Sequence, residues 1–412
     1  MRARSLIAPL STLNPQLSAL LLLSACSSAG AGNLATARVD TLAGGVIRVS
    51  NDAPTAWPLT PGATLAEEHR FSGEDGSDAE LGEPRSIAVD GEGRVYVVDS
   101  KPAVIKVFSA TGDFIRTIGR EGEGPGEFRV GFVAVRGPHL VLHDPRIGRT
   151  SVFDTAGTFL RSWNSSCCYW SDIQVDPENR IYIPSMVSQK EGAPVRGTAW
   201  VRWSLDGVAL DTAWVPYREA DRIWTVEVKK GGKMVGAMST SIPFMPALAS
   251  ALHPEGGFVY GWTEGYEVVR STTGADTARR FGRAWTPDQI SEARRTDEVE
   301  RRIREAGGSW GEDNIRAAFK LSDVPSTLPA YHSMRVDPLG RIWVRRYAVS
   351  DTTRTDFDLF DATGAWLGPV VAPFNLNEWT LQAWTETGLV TLIEDADGRP
   401  TVVRLRLRPP GG

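Results

Sequence analysis

Residues 84–128 read PRSIAVDGEGRVYVVDSKPAVIKVFSATGDFIRTIGREGEGPGEF. Ile87, Val89, Val95, Val97, Ile105 and Val107 fall in short runs rich in β-branched residues. Turn chemistry separates the runs: Asp90-Gly91-Glu92-Gly93 and Thr111-Gly112-Asp113, residue types that reverse a chain between strands. Four strands in about 45 residues is the size of one propeller blade.

Outward from this stretch the pattern recurs in worn form. Blade one is Pro84 to Ile118 and blade two runs from Phe132 to Trp163. Blade three starts near Asp172 and resumes at Trp200 to Trp214 after an insertion; a second insertion, Arg222 to Met238, reads as a β-hairpin turning at Lys229 to Lys233. Blade four spans Leu248 to Arg283, blade five His332 to Leu367, and blade six Trp379 to Leu407. Blade six has only three strands. The missing one is found upstream, because Glu67 to Pro84 parallels Phe114 to Val130: a strand, a Gly/Glu-rich loop and entry to the next blade. The strand near Leu65 to Ser72 is therefore expected to complete the last blade, which removes an open sheet edge. The expected fold is all-β, a six-bladed β-propeller over residues 41–412, with a hairpin at Thr41 to Ser50 turning at Gly44-Gly45.

One helical insertion, 286–321, interrupts the pattern between blades four and five. Thr286-Pro287-Asp288-Gln289 has capping-box spacing, and Ile290, Ala293, Val299 and Ile303 supply an apolar stripe. Gly307-Gly308 is expected to stop the helix, and Ser309 to cap a second one reaching Leu321. Gly307 to Gly311 also fits G-x-S-x-G. A nucleophile elbow needs a strand before the serine, and a charged helix precedes this one, so Ser309 is assigned to capping. Such an insertion lies on the face where blades are joined and could act as a lid.

The first 25 residues are read as a signal peptide. Arg2 and Arg4 precede an apolar run, Leu17 to Leu23, too short to span a membrane. Leu23-Ser24-Ala25-Cys26 then resembles the lipobox of bacterial lipoproteins. The resemblance implies cleavage before Cys26, acylation of its thiol, and residues 26–40 as a tether. Ser27 in place of an aspartate implies the outer membrane. Two further cysteines, Cys167 and Cys168, are adjacent; either a strained vicinal disulfide or two thiols, one buried, would suit them. A formal net charge of -5 with no basic run argues against a nucleic-acid partner.

Val97-Val98-Asp99, Ile105 to Phe108, Gly112 and Gly124 to Phe128 together resemble the NHL repeat. Blade two repeats it with Leu142-His143-Asp144 and Ser151 to Asp154, and blade five keeps a trace in Phe357 to Asp361. The mature chain is similar to bacterial six-bladed propeller proteins, many exported and lipid-anchored. That likeness implies the fold. It spreads over scaffolds, sugar- and peptide-binding proteins, lyases and lactonases, so it leaves the activity open.

No catalytic residue, metal site or cofactor is assigned. A lactonase would need a Glu, Asn and Asp set on a channel calcium, which cannot be matched residue by residue. Asp395-Ala396-Asp397-Gly398 lacks the later ligands of a calcium loop and, like Asp90-Gly91, is read as a hairpin turn. With five histidines, a lyase site of several channel histidines is poorly supplied, and His253 is read as structural. The candidate site is positional. Starts of innermost strands and loops after second strands meet at one end of a propeller channel. Those positions hold Arg85, Asp99, Lys101, Asp144, Arg146, Trp170, Asp172, Trp262, Tyr266, His332, Arg346 and Trp379. An aromatic wall with a few charges suits a ligand pocket; interblade packing and a polar rim would use the same residues. Asp99 and Asp144 also suit a second role, holding loop N–H groups. The resulting expectation is a non-catalytic module binding a small molecule, glycan or protein. A lactonase or lyase is the alternative, and Trp170, Trp262 and Trp379 are the candidates for sugar stacking.

Overall fold

The structure is a computed structural model. It describes residues 36–74, 76–165, 173–185, 199–216, 222–230, 233–273, 276–347, 353–376, 382–395 and 397–411. Cys26, Cys167, Cys168, Trp170, Asp172 and Trp379 lie outside them.

Alternating apolar residues and tight turns build six four-stranded antiparallel blades, each read from the centre outward. Blade one comprises Pro84–Val89, Val95–Ser100, Ala103–Phe108 and Phe114–Ile118; blade two Phe132–Arg136, His139–Asp144, Arg149–Asp154 and Phe159–Asn164. Blade three is Gln174–Val175, Ile181–Ser185, Ala199–Trp203 and Ala209–Trp214; blade four Leu248–Leu252, Phe258–Trp262, Glu267–Ser271 and Arg279–Arg283. Blade five is Ser333–Val336, Ile342–Arg345, Thr355–Phe360 and Trp366–Ala372. Blade six is Gln382–Thr385, Gly388–Glu394 and Pro400–Arg408, completed by Ala63–Phe71. Thus the strand expected near Leu65 closes the ring. Residues of all six innermost strands line one central channel of about 380 Å³.

Each of the six seams between blades has its own apolar cluster. Blades one and two share Val98, Ile105, Phe128 and Leu140, two and three Val141, Val152 and Ile181, and three and four Tyr182, Phe258 and Val269. Blades four and five share Val268, Phe281, Phe360 and Trp366, five and six Trp343, Leu359 and Leu65, and six and one Phe71, Phe108 and Val402. Burial of each large side chain stabilises by roughly 1.5–3 kcal/mol, so the seams carry the fold. A recurring glycine sets their spacing. Gly112, Gly157, Gly207 and Gly364 end the outer turns of blades one, two, three and five with φ of 107°, 99°, 81° and 86°. A Cβ there would sit 2.5–2.8 Å from Arg70, Ile118, Trp163 or Phe281 of the preceding blade, a clash as well as a strained conformation.

The inner turns use an aspartate. In blades one, three and five, Asp90, Asp176 and Asp337 accept two backbone N–H bonds, the Nε–H of Arg94, Arg180 or Arg341, and a ring donor from Tyr96, Tyr182 or Trp343. Asp90-Gly91 is thus not a two-residue turn: Gly93, not Gly91, takes the left-handed conformation, and the carboxylate holds a longer loop. In blade four His253 fills this place, its Nδ1 accepting from Glu255 N–H at 3.2 Å.

Three features depart from expectation. The N-terminal hairpin is Arg38–Thr41 and Ile47–Asn51, beginning inside the segment read as tether, and it adds to the outer edge of blade four parallel to Arg279–Arg283. Helix α1 spans Glu292–Trp310 with Ser291, not Thr286, as N-cap: the Ser291 hydroxyl accepts from Arg294 N–H at 3.2 Å. The Thr286–Gln289 stretch cannot start it, because Asp288 and Ile290 are bonded to Leu328 and Ser326 and Gln289 bridges Thr327. Helix α1 also runs through Gly307-Gly308 and ends at Gly311 (φ 81°), leaving a short α2 at Glu312–Ala318. Ser309 therefore lies inside a helix and not at the start of a second one, and the helical position equally denies it an elbow.

Candidate functional site

Both insertions leave from the face that carries the blade-to-blade connections. The hairpin Ile223–Lys230 and Lys233–Ser241 precedes blade four, and α1 and α2 precede blade five. They pack on each other through Trp224, Val226, Ile242, Val299, Ile303, Ile315 and Phe319. Trp224 stacks on Phe319 at 4.3 Å, and its indole N–H donates to Asp323 at 3.1 Å. Gly236 leaves the room that Trp310 occupies, 3.3 Å from where a Cβ would stand. Phe244, in the left-handed region at φ 58°, joins this cap to the propeller. Its ring meets Tyr347 of blade five at 6.1 Å and lies under Arg294 at 5.5 Å. Such a conformation is costly for a bulky residue and is held by its surroundings.

Where the stems of the helical insertion leave blade four and enter blade five, they wall a cavity of about 230 Å³. Trp285, Asp288, Leu328 and Pro329 line the stem side; Arg283, Arg346, Tyr347, Arg354 and Asp356 line the blades. Behind it is a buried polar knot. Asp358 Oδ2 accepts from Tyr266 O–H at 2.6 Å and Arg283 Nε–H at 2.9 Å. The Arg283 guanidinium lies between the rings of Tyr266 and Trp366, at 4.6 and 4.9 Å. Burial, and then the Asp358 charge, push the Tyr266 hydroxyl well above its ordinary range, so it stays a neutral donor. Burial opposes the Arg283 charge, but Asp358 outweighs it and the pKa is raised.

Arg346 is paired more loosely. Its guanidinium stands 3.9 Å from Asp356 Oδ1 and 4.0 Å from Asp358 Oδ2, beyond hydrogen-bond reach, and its buried Nε has no hydrogen-bond partner. Arg354 Nε lies 3.3 Å from Asp356.

Of the residues chosen from sequence, the structure brings Tyr266, His332 and Arg346 to the seam of blades four and five. The His332 ring meets Tyr347 at 5.0 Å and lines an adjoining gap between the inner strands. Arg85 and Lys101 instead share Glu83 on blade one, Lys101 at 3.0 Å and 78% exposed. Trp262 lines a separate groove with Tyr260 and Arg280. Arg146 is exposed on blade two. Asp99 and Asp144 do not present carboxylates to a ligand. Asp99 holds the N–H groups of Gly82, Glu83 and Lys101, and Asp144 those of Arg129, Val130, Arg146 and Ile147; both are buried. Arg283, Arg354, Asp356 and Asp358 were not chosen. One signal was available: counted back from the outer turn, Asp358 occupies the place of Lys106 and Ser151 in blades one and two, a buried charge in an apolar strand. Among the described residues no group of three or more His, Cys, Asp or Glu could hold a metal ion.

With this geometry in hand, comparison with known proteins adds the following. The DUF5128 family, described as a 6-bladed beta-propeller, matches residues 74–130. No curated protein matches. Among solved structures, a protein of Bacteroides fragilis is similar at 11% identity and a TM-score of 0.48, over 88% of this chain and 99% of that one. A DUF4221 member from Bacteroides vulgatus gives 11% and 0.48, over 84% and 99%. Virginiamycin B lyase from Staphylococcus aureus gives 11% and 0.39, over 83% and 98%. Likeness at this level passes no activity to this chain.

Proposed function

We propose that the protein is an exported, lipid-anchored β-propeller that binds a ligand without transforming it, in the capped pocket between blades four and five. One observation carries the reading. Both large insertions stand on one face and pack together, and the stems of one wall a cavity whose other side is charged and aromatic. Convergent charged groups beside an aromatic and apolar side suit a polar small molecule. Export and anchoring are supported by the signal-like N-terminus ending in Cys26.

The test combines binding with turnover. Purified protein is titrated by calorimetry with a panel of small polar metabolites and short peptides, and each binder is then incubated and analysed by mass spectrometry. Binding lost in Tyr347→Ala, with the ligand recovered unchanged, is expected. Conversion of a binder would instead favour a lyase or hydrolase. Anchoring is tested separately: radiolabelled palmitate should enter the wild type and not Cys26→Ala, and equal labelling would refute it.

A further inference from the structure

We propose that the pocket between blades four and five takes an uncharged sugar ring, one of whose hydroxyls bridges Arg346 and Asp356; this rests on that pocket being the binding site. The charge balance comes first. Arg283, Arg346 and Arg354 line the cavity, and so do Asp288 and Asp356, with Asp358 behind them. Three guanidiniums therefore meet three carboxylates. Arg283 and Asp358 satisfy each other, with Tyr266 completing the knot. A ligand with a net charge would find as much repulsion as attraction on this wall, which suits a neutral one.

Bonding capacity selects the chemistry. Arg346 and Asp356 stand 3.9 Å apart, too far for a hydrogen bond, and Arg346 Nε and Asp356 Oδ1 have no hydrogen-bond partner. The two side chains are 34% and 13% exposed, so the pair can be reached from the cavity. A guanidinium only donates and an ionised carboxylate only accepts. One hydroxyl seated against the pair can do both, accepting from Arg346 and donating to Asp356. A carboxylate ligand could not donate, and an ammonium could not accept. Asp288, exposed at the rim, is a second acceptor for a hydroxyl farther round the ring. Trp285, Tyr347 and Leu328 form the apolar side, against which the C–H face of a sugar would lie. At about 230 Å³ the cavity is smaller than the roughly 300–1,000 Å³ of drug-sized sites, which leaves room for one ring and not a chain.

Calorimetric titration of the purified protein with glucose, galactose, mannose, phenylacetamide and phenylacetate tests this. At least one of the three sugars is expected to bind. Asp356→Asn should weaken it by about tenfold or more, the loss of one charge-assisted hydrogen bond, and Tyr347→Ala should weaken it as well. Asp356→Glu, which displaces the carboxylate, should also weaken binding and serves if the Asn variant folds poorly. Binding of the amide or the acid but of no sugar, lost in Tyr347→Ala, would overturn the sugar while leaving the pocket as the site. Sugar binding that Tyr347→Ala weakens and a folded Asp356 variant leaves unchanged would overturn the hydroxyl bridge. No binding by any probe, or binding indifferent to Tyr347→Ala, would overturn the sugar and the pocket together.

Discussion

Tyr266 of blade four and Asp358 of blade five meet across their shared seam, hydroxyl to carboxylate at 2.6 Å. Asp358 is fully buried and also takes Arg283 at 2.8 Å. Removing one partner of a buried ion pair strands the other, at a cost of about 3–5 kcal/mol. Asp358→Asn should therefore lower the unfolding free energy measured by urea titration by an amount in that range. Tyr266→Phe removes only a neutral donor and should cost about 1–2 kcal/mol. Combined, the two changes should cost less than their sum, since they share an oxygen. Strict additivity would show that the knot is not cooperative.

Two buried histidines tie stability to pH. Burial lowers the His143 pKa from 6.5 to about 4, and does the same for His253, where Arg270 adds to the effect. Below pH 6.5 the unfolded chain takes up protons that the folded one refuses until about pH 4. Stability is thus full above pH 6.5 and falls as the pH drops through that window. His143→Asn, which keeps an acceptor-sized amide near Thr150 and Ser165, should flatten part of the fall between pH 6.5 and 5 in denaturant titrations. An unchanged slope would mean that His143 titrates normally in the fold.

Asp99 and Asp144 separate structure from recognition. Each carboxylate gathers three or four backbone N–H groups. Replacement by Ala leaves those donors unmet and should cost about 2–4 kcal/mol, several unmade bonds offset by partial hydration. Ligand affinity measured on the folded fraction should not change. A selective loss of binding with an unchanged melting curve would return these residues to a site.

The cap has its own small core, so it should open by itself. Phe319 is buried and stacks on Trp224 at 4.3 Å. Phe319→Ala should cost about 3–5 kcal/mol locally and raise amide exchange in α1, α2 and the hairpin while the blade strands keep their protection. Uniform loss of protection would mean that cap and blades unfold as one unit.

How much of this was legible follows from where the signals lie in the chain. Blade strands are local: alternation and turn residues sit within one stretch, so Pro84 to Phe128 could be read directly. Ring closure was legible because the Gly/Glu-rich loop after Phe71 copies the one after Ile118. The start of α1 was misread because Pro287 imitates a first turn, while the stem ladder Asp288–Leu328 that overrides it joins residues 40 apart. Gly307-Gly308 stayed helical because Trp310 is anchored over Gly236, a tertiary contact outweighing about 1 kcal/mol per glycine. The seam site hid for the same reason. Arg283 and Asp358 are 75 residues apart, and no local pattern pairs them. Asp99 and Asp144 stood out because the repeat needs them for its loops.

Native mass spectrometry of the protein purified from the cells that make it would test most directly whether the capped face is a binding site. The expected spectrum shows a stoichiometric small molecule, released intact on denaturation and absent from Tyr347→Ala protein prepared in parallel. Retention of the same ligand by Tyr347→Ala, or a bound species that converts to a product during incubation, would contradict a non-catalytic site in the capped pocket.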